Sequence, residues 1–279
     1  PGIWEAMSFP EFGNKTLAFP LAKGAEAMYY NMALLKAAGI NSVPKTWDDF
    51  EKACKAVTRG DVRGYAWRER ASTFAAWLYS RGARLWGDGQ ARPTFNGPEA
   101  LEALELVLRL RNAGAAWKPE GTDADRVQFA RGKVAFTMGS TADSWSYAEA
   151  IKKEGKALDW GCTVVPQKDP TQPRTALYGG SVCIFKTTEA QQRAAWQFIR
   201  WLTDTEQVAD WISASGYAPI RKSAVKRLAD SGWLAKNPLV KQVYEDVIPY
   251  AYPEPNVRGA PEIRRMIEDA WMAAATGVN

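Results

Sequence analysis

The sequence of 279 residues contains no histidine. Histidine is the commonest general base near neutral pH and the commonest metal-binding side chain, so Ser-His-Asp, Cys-His and zinc–histidine chemistries are excluded. Only three cysteines are present, Cys54, Cys162 and Cys183. They have no metal-ligand spacing, and an odd number argues against a fully paired disulfide framework. We interpret all three as small buried residues and leave a Cys162–Cys183 disulfide open.

Long apolar runs are missing too, because no stretch approaches the roughly 18 consecutive apolar residues of a membrane-spanning helix. The net charge is +5, but the basic residues are interspersed with acidic ones, as in WRERAS and EIRRMIEDA. A nucleic-acid-binding face clusters its basic residues, so no nucleic-acid partner is expected. With 46% hydrophobic residues, the chain can bury a core large enough for two lobes or one large domain.

The segment over residues 178–222 organises the rest of the chain. Its first part, YGGSVCIF, predicts a buried strand that reaches Phe185. Gly179 and Gly180 precede the apolar residues, and paired glycines allow a backbone to approach a ligand closely. We therefore expect this pair at the rim of a cleft.

Two helices follow that strand in the predicted order. Thr188 with Gln191, and Thr203 with Glu206, each match the pattern in which a hydroxyl caps a helix and a side chain three residues later reciprocates. A second glycine turn, GYAPIRKS, comes after the helices and carries Tyr217.

Elsewhere the sequence predicts further helices and short strands. A helix capped by Thr46 has one apolar stripe, and another spans 96–114 with its leucines on one face. Strands are predicted at 17–19, ended by Pro20, and at 134–138. The apolar stripe of the first helix consists of Trp47, Phe50, Cys54 and Val57, and the leucines of the second are Leu101, Leu104 and Leu108. A final helix near the end of the chain carries Ile263, Ile267 and Trp271 on one face.

The order of a glycine pair, a strand, a lysine, AWQFIRWLT, a second helix and SGYAPIRKSA resembles the periplasmic solute-binding proteins of ABC importers, in the branch that takes up sugars and polyols. PKTWDDF is also frequent in that family. The resemblance covers nearly the whole chain. It implies an α/β fold of two lobes with three inter-lobe crossings, and a small polar solute bound without catalysis, cofactor or metal.

The same resemblance implies partners and a location. A membrane permease would recognise the closed, liganded form, the complete protein would be a monomer, and it would be periplasmic or extracellular, with a lipid anchor as an option. Residues 1–25 and 167–217 would belong to the N-terminal lobe, and 26–166 and 218–279 to the C-terminal lobe. Family members begin with several strand–helix repeats before the point matching Trp4. We therefore expect the first lobe to be incomplete, and to be completed by an N-terminal segment or a partner chain.

Candidate ligand contacts follow from the crossings that the resemblance implies. Lys23 and Gly24 are expected on a turn at the first crossing, and Gly179 and Gly180 follow the second. Tyr217 lies at the third, where it either contacts the ligand or braces the hinge.

The second lobe offers further candidates. Trp67 is expected at a strand end, where its ring would stack on a sugar, with a core position as the alternative. Ser140, Ser144 and Trp145 lie in a turn that delivers hydroxyls and an aromatic ring into the cleft in this family. From the residues alone, the two serines are equally interpretable as helix caps.

Arg258 lies in the stretch PEPNVRG, which resembles glycerol-3-phosphate-binding members, where an arginine in this setting contacts the phosphate. A guanidinium suits such an oxygen-rich anion. The chain departs from that subgroup because Lys23 and Gly24 replace paired serines, which leaves a sugar, polyol or phosphodiester open. The alternatives are a glycosidase using two of Glu69, Asp143 and Glu254, or a non-transport sensor on the same fold.

Overall fold

The computed structural model describes residues 8–9, 13, 15–68, 70–87, 92–254 and 256–276. Within these ranges the strands are β1 (Ser8–Phe9), β2 (Lys15–Thr16), β3 (Phe19–Asn31), β4 (Arg63–Ala66), β5 (Ala116–Trp117), β6 (Val134–Ser140), β7 (Trp160–Thr163), β8 (Thr175–Val182) and β9 (Ala251–Pro253). The helices are α1 (Met32–Ala37), α2 (Trp47–Val57), α3 (Ala71–Tyr79), α4 (Pro98–Asn112), α5 (Ala124–Ala130), α6 (Ser144–Lys153), α7 (Glu189–Leu202), α8 (Thr205–Ser215), α9 (Lys222–Asp230), α10 (Trp233–Lys236), α11 (Pro238–Asp246) and α12 (Ala260–Thr276). Short 3-10 helices span Thr141–Asp143 and Ile248–Tyr250.

The long strand β3 connects two sets of neighbours in one mixed sheet. Its first half pairs antiparallel with β8, and its second half pairs antiparallel with β6 and β7. Strand β4 lies parallel to both β5 and β6, and β9 lies parallel to β8. The order β5-β4-β6-β3-β8-β9, with β7 also on β3, therefore depends on this one strand.

The prediction that a strand ends at Pro20 is wrong, and so is the turn predicted at Lys23 and Gly24. All three residues lie inside β3. The pairing of β3 with β8 shifts register between Pro20 and Ala22. Proline has no N–H to donate to a ladder, so it is tolerated at such an irregularity without ending the strand.

Two hydrophobic clusters lie on different groups of helices packed around the sheet. The first contains Phe50 of α2, Trp77 of α3 and Trp271 of α12. The second contains Phe129 of α5 and Tyr147 of α6. Helices on both sides of a mixed sheet define an α/β layer architecture.

The apolar stripe predicted for α2 is confirmed. The Thr46 side chain accepts a hydrogen bond from the amide of Asp49 and caps the helix, as predicted. The four stripe residues Trp47, Phe50, Cys54 and Val57 are all buried. In α12, Ile267 and Trp271 are buried and Ile263 packs against the same cluster.

Helix α4 exists as predicted, with Pro98 in its first turn, but its predicted apolar face is wrong. Leu101 is 59% exposed. The helix buries Ala100, Ala103, Leu106, Val107 and Leu110 instead. Helix α4 packs against α12 and α3, and the buried side that they select passes through Ala103 and Leu110, while Leu104 of the predicted stripe is only partly buried.

The first predicted helix cap after β8 is confirmed, and the second is wrong. Thr188 and Gln191 form a reciprocal capping box at the start of α7. Thr203 instead ends α7, because its hydroxyl donates to the carbonyl oxygen of Ile199 at 2.7 Å. The side chain of Asp204 caps α8 by accepting from the amide of Thr205.

The strand predicted to reach Phe185 is shifted toward the N-terminus. Strand β8 spans Thr175–Val182, and Phe185 is 78% exposed. Cys183 is also exposed, contrary to the prediction, whereas Cys54 and Cys162 are buried, and all three thiols are free. The strand begins earlier because its buried first residues pair with β9.

Helix α7 leaves an aromatic surface exposed. Within this helix only Ile199 is buried. Trp196, Phe198 and Trp201 are 44%, 57% and 57% exposed. No described helix is both long and apolar enough to cross a membrane.

Candidate functional site

Three chain segments meet where β3 passes from its pairing with β8 to its pairing with β6. We call this meeting point, at Lys23, Gly179 and Ala218, the crossing. Lys23 and Gly24 of β3 lie opposite Gly179 and Tyr178 of β8. The third segment joins on the other side, because the amide of Ala218 donates to the carbonyl oxygen of Lys23 at 2.6 Å. Residues that lie up to 195 positions apart in the sequence are thereby held in one hydrogen-bonded unit.

A hydroxyl-rich turn at the end of β6 packs onto this unit. The amide of Ala25 donates to Thr141 Oγ1 at 3.1 Å, and the Tyr29 hydroxyl donates to the Ser140 carbonyl oxygen at 2.6 Å. Ser140 also caps the short 3-10 helix by accepting from the amide of Ala142 at 3.2 Å. The structure thus brings the turn of 140–145 to the crossing of β3.

Two glycines allow these close approaches. A Cβ atom on Gly24 would lie 2.6 Å from Ser140 Oγ. Gly179 has a φ of +120°, and a Cβ there would lie 2.0 Å from the carbonyl oxygen of Ala22. Only glycine adopts that backbone conformation readily. Gly180 is different, since a Cβ atom there would lie no closer than 3.8 Å to its nearest neighbour, the Cβ of Ala22.

Lys23 supplies a buried cation at the crossing. Its Nζ donates to the Gly179 carbonyl oxygen at 2.8 Å and to Ser181 Oγ at 2.9 Å. The residue is 3% exposed, and no carboxylate in the described part of the chain forms an ion pair with it. Burial lowers the pKa of Lys23 to about 8, because desolvation disfavours the charged form.

Glu26 is a buried acid that the sequence analysis did not single out. Its carboxylate accepts from the Thr73 hydroxyl at 2.5 Å and from the Tyr178 hydroxyl at 2.7 Å. Burial raises the pKa of Glu26, and the two hydrogen bonds oppose this. The signal was present, because Glu26 is the one charged residue in the strand segment AEAMYY.

Arginines and aspartates form a charged network at the carboxyl ends of β4 and β6. Arg68 binds Asp125 and also lies 2.9 Å from Asp123. Asp125 is buried and accepts from Thr137 Oγ1 at 3.0 Å. We call the six residues the arginine–aspartate network: Arg68, Arg70, Arg126, Asp123, Asp125 and Asp143.

The aromatic candidates differ in accessibility. Trp67 is 2% exposed and belongs to the first hydrophobic cluster, which is the core position given as its alternative. Its stacking role remains a prediction. Trp145 is 54% exposed at the start of α6, directly after the network residue Asp143 and the buried Ser144. Tyr217 is half-buried, and its ring lies parallel to Trp211 with the ring centroids 5.9 Å apart.

Arg258 makes no hydrogen bond or ion pair with the described residues of the crossing. It is exposed in the loop two residues before α12, as predicted. Among the residues that the structure describes, none forms a hydrogen bond or ion pair with it. Its role toward a phosphate stays a prediction.

Of the acids proposed for a glycosidase, two face arginines and the third lies outside the described residues. Asp143 lies between Arg70 and Arg126, at 3.8 and 3.7 Å. Glu254 binds Arg264, and Glu69 lies outside the described ranges. In those ranges, no group of three or more acids or cysteines could hold a metal ion.

Comparison with known proteins identifies the class. Residues 5–242 match the family of bacterial extracellular solute-binding proteins. The chain belongs to this family, whose members bind solutes and are not enzymes. This agrees with the resemblance noted in the sequence.

Particular relatives define the fold more closely. The sn-glycerol-3-phosphate-binding periplasmic protein of Rhizobium meliloti is 23% identical over 99% of this chain, and the chain spans 66% of that relative's length. The glycerophosphocholine complex of UgpB from Mycobacterium tuberculosis superposes with a TM-score of 0.80 at 23% identity, covering 95% of this chain and 67% of that one.

The cyclic alpha-maltosyl-1,6-maltose binding protein of Arthrobacter globiformis also superposes with a TM-score of 0.80, at 21% identity, covering 99% of this chain and 71% of that one. The fold is therefore the two-lobe α/β fold of periplasmic binding proteins, and this chain accounts for about two thirds of it.

Proposed function

We propose that this chain is the substrate-binding component of an ABC importer and captures a carbohydrate, polyol or glycerol-phosphate-type solute. The observation that carries the proposal is the convergence of three chain segments at Lys23, Gly179 and Ala218. The turn that packs beside them carries the exposed ring of Trp145 and the less accessible hydroxyls of Ser140 and Ser144. The relatives are consistent with it, since one is a glycerol-3-phosphate-binding protein and another binds a maltose derivative.

The three segments support a division into two lobes. We propose that residues 1–25 and 167–217 belong to one lobe and residues 26–166 and 218–279 to the other. The segments that meet at Lys23, Gly179 and Ala218 then act as hinges. Solute binding closes such lobes by rotating them about a few hinge residues.

We propose that the solute lies against the C-terminal lobe's turn of 140–145. The exposed ring of Trp145 provides an apolar surface on which the face of a sugar or polyol chain packs. Ser140 and Ser144 supply hydroxyls, and Gly179 and Gly180 supply exposed backbone from the other side. Tyr217 closes the site at the third hinge.

A phosphorylated solute would place its anion near Arg258. That guanidinium is exposed and has no acid partner in the described part of the chain, so its donors are available to phosphate oxygens. Arg258→Ala should abolish binding of glycerol 3-phosphate and leave ribitol binding unchanged, as measured by calorimetric titration. Unchanged affinity for glycerol 3-phosphate would discard the assignment.

The proposed partner is a membrane permease that recognises the closed form, in a periplasmic or extracellular location, with a lipid anchor as an option. The exposed aromatic residues of α7 support the proposal that further lobe residues, from the same chain or a partner chain, cover that helix. Exposed apolar patches of this kind mark surfaces that become buried in an assembly.

The experiment that tests the function is mass spectrometry of small molecules released when the protein, purified without added solutes, is denatured. We expect stoichiometric release of one polar solute of the sugar, polyol or glycerol-phosphate type. Release of none, together with no binding of such solutes on titration, would contradict the proposal.

A further inference from the structure

We infer that Arg70, Asp143 and Arg126 form a subsite for two adjacent hydroxyl groups of the solute. This inference deepens the proposed function and rests on it. The Asp143 carboxylate lies between two guanidinium groups without forming a hydrogen bond to either. Arg70 Nη1 is 3.8 Å and Arg126 Nη2 is 3.7 Å from its carboxylate oxygens.

Both distances exceed the 2.7–3.2 Å range of an N–H···O hydrogen bond. The Asp143 carboxylate accepts no hydrogen bond from any residue that the structure describes. Arg126 Nε is buried and has no hydrogen-bond partner in those residues either. A buried donor without an acceptor costs free energy, so this group of side chains has unused hydrogen-bonding capacity.

Arg126 faces a second aspartate of the network through its other terminal nitrogen. Asp123 lies 3.5 Å from Arg126 and 2.9 Å from Arg68. Asp123 is also the one described non-glycine residue with a positive φ, at 55°. Aspartate is one of the few non-glycine residues that adopt this left-handed conformation readily. The Arg126 guanidinium further lies 5.4 Å from the centre of the Tyr147 ring.

The charges favour hydroxyl groups over an ionic ligand group here. Three arginines face three aspartates in the network, so its formal charge is balanced. The nearby Glu26 is buried with a raised pKa, and Arg70 and Asp143 act on it in opposite directions. An added anion would face Asp143, and an added cation would face the two arginines. A neutral ligand group avoids both repulsions.

Two adjacent hydroxyl groups match the hydrogen-bonding groups of this subsite, which are the Asp143 carboxylate and the two guanidinium groups. A hydroxyl group both donates and accepts, a carboxylate only accepts, and a guanidinium only donates. One hydroxyl can donate to Asp143 while the neighbouring hydroxyl accepts from Arg70 or Arg126. Asp143, Arg70 and Arg126 have side chains 26%, 37% and 16% exposed, so the first two are reachable from solvent. The exposed Trp145 ring lies two residues from Asp143.

The test compares solutes that differ by one hydroxyl. Ribitol and glycerol 3-phosphate are titrated into the 279-residue protein beside 2-deoxyribitol and 3-hydroxypropyl phosphate, which lack one hydroxyl of an adjacent pair. The wild-type protein should prefer the hydroxylated solute roughly 10- to 100-fold, the effect of hydrogen bonds to charged groups. Asp143→Asn and Arg126→Gln should each reduce that preference to less than about threefold.

A matched control uses a similar ion pair far from the crossing. Arg109 binds Glu51 through two N–H groups, at 2.9 and 3.1 Å, and Arg109→Gln should leave the preference unchanged. Thermal melts identify any variant that fails to fold. If Arg126→Gln does so, the isosteric Asp143→Asn variant decides the question, supported by the shift of the Arg126 Nε–Hε resonance of wild-type protein on adding ribitol.

The outcomes separate the two claims. If the wild-type protein binds neither ribitol nor glycerol 3-phosphate, the proposed function for these solutes and the subsite are both overturned. If it binds one of them but Asp143→Asn keeps the full preference, only the subsite is overturned. Loss of preference in Asp143→Asn with retention in Arg109→Gln supports it.

Discussion

The ammonium group of Lys23 donates a hydrogen bond to the carbonyl oxygen of Gly179 at 2.8 Å. This contact fastens the first chain segment at the crossing to the second through a buried cation. Because Ala218 binds the carbonyl oxygen of the same lysine, one residue contacts all three segments. The stability of the crossing should therefore respond to the charge of Lys23 and to the backbone of Gly179.

The pH dependence of stability should report on Lys23. Its pKa is lowered from 10.5 to about 8 by burial. Between these pH values the unfolded chain keeps the proton that the folded chain has released, so the unfolded state binds more protons. The free energy of unfolding contributed by this group therefore rises from about pH 8 to about pH 10.5, and is lowest below pH 8, where the buried charge is present.

Lys23→Met should remove that rise. Urea unfolding at several pH values from 7 to 10.5 should show the wild-type protein gaining stability relative to the variant as the pH increases. Lys133→Met is a suitable control, because Lys133 is exposed and paired with Asp61 at 2.5 Å. Parallel pH profiles for wild type and Lys23→Met would contradict the assignment of a lowered pKa to this lysine.

The two neighbouring glycines of β8 should differ sharply in their tolerance of a methyl group. Gly179→Ala forces a Cβ to 2.0 Å from the Ala22 carbonyl oxygen at a φ of +120°. We expect a loss of about 2–4 kcal/mol in the free energy of unfolding, from strain and displacement of the strand. Gly180→Ala should cost less than about 1 kcal/mol, since its Cβ would make an ordinary contact at 3.8 Å.

Chemical denaturation of the two variants checks this contrast. Equal destabilisation would mean that the backbone at Gly179 relaxes without cost, and that the close approach of β8 to β3 does not require glycine there.

Local sequence patterns predicted those features that depend only on residues within one helix. The α2 stripe and the capping box of α7 depend on residues three and four positions apart, and both are confirmed. The cap assigned to Thr203 is wrong because two helices compete for one hydroxyl. The leucine face of α4 is wrong because its partner helices, which are distant in sequence, decide which side is buried.

The site was predictable where the family resemblance marks the segments that cross between lobes. The sequence singled out Lys23, Gly24, Gly179 and Gly180, and the structure brings them together. It did not identify Glu26 or the arginine–aspartate network as a unit. Those groups come from β3, the segment after β4, the start of α5 and the turn after β6, and the sheet register brings these segments together. Single-sequence patterns do not encode such long-range register.

The most direct test of the account is a calorimetric titration of the wild-type protein, Trp145→Ala and Trp201→Ala with ribitol, maltose and glycerol 3-phosphate. Both tryptophans are more than half exposed, at 54% and 57%. Trp145 follows the turn that packs onto the crossing, whereas Trp201 lies near the end of α7. We expect one of these solutes to bind the wild-type protein and the Trp201→Ala variant equally. It should bind Trp145→Ala about tenfold more weakly or worse, because its apolar face loses the stacking surface. The absence of binding by all three solutes, or equal weakening in both variants, would contradict the account.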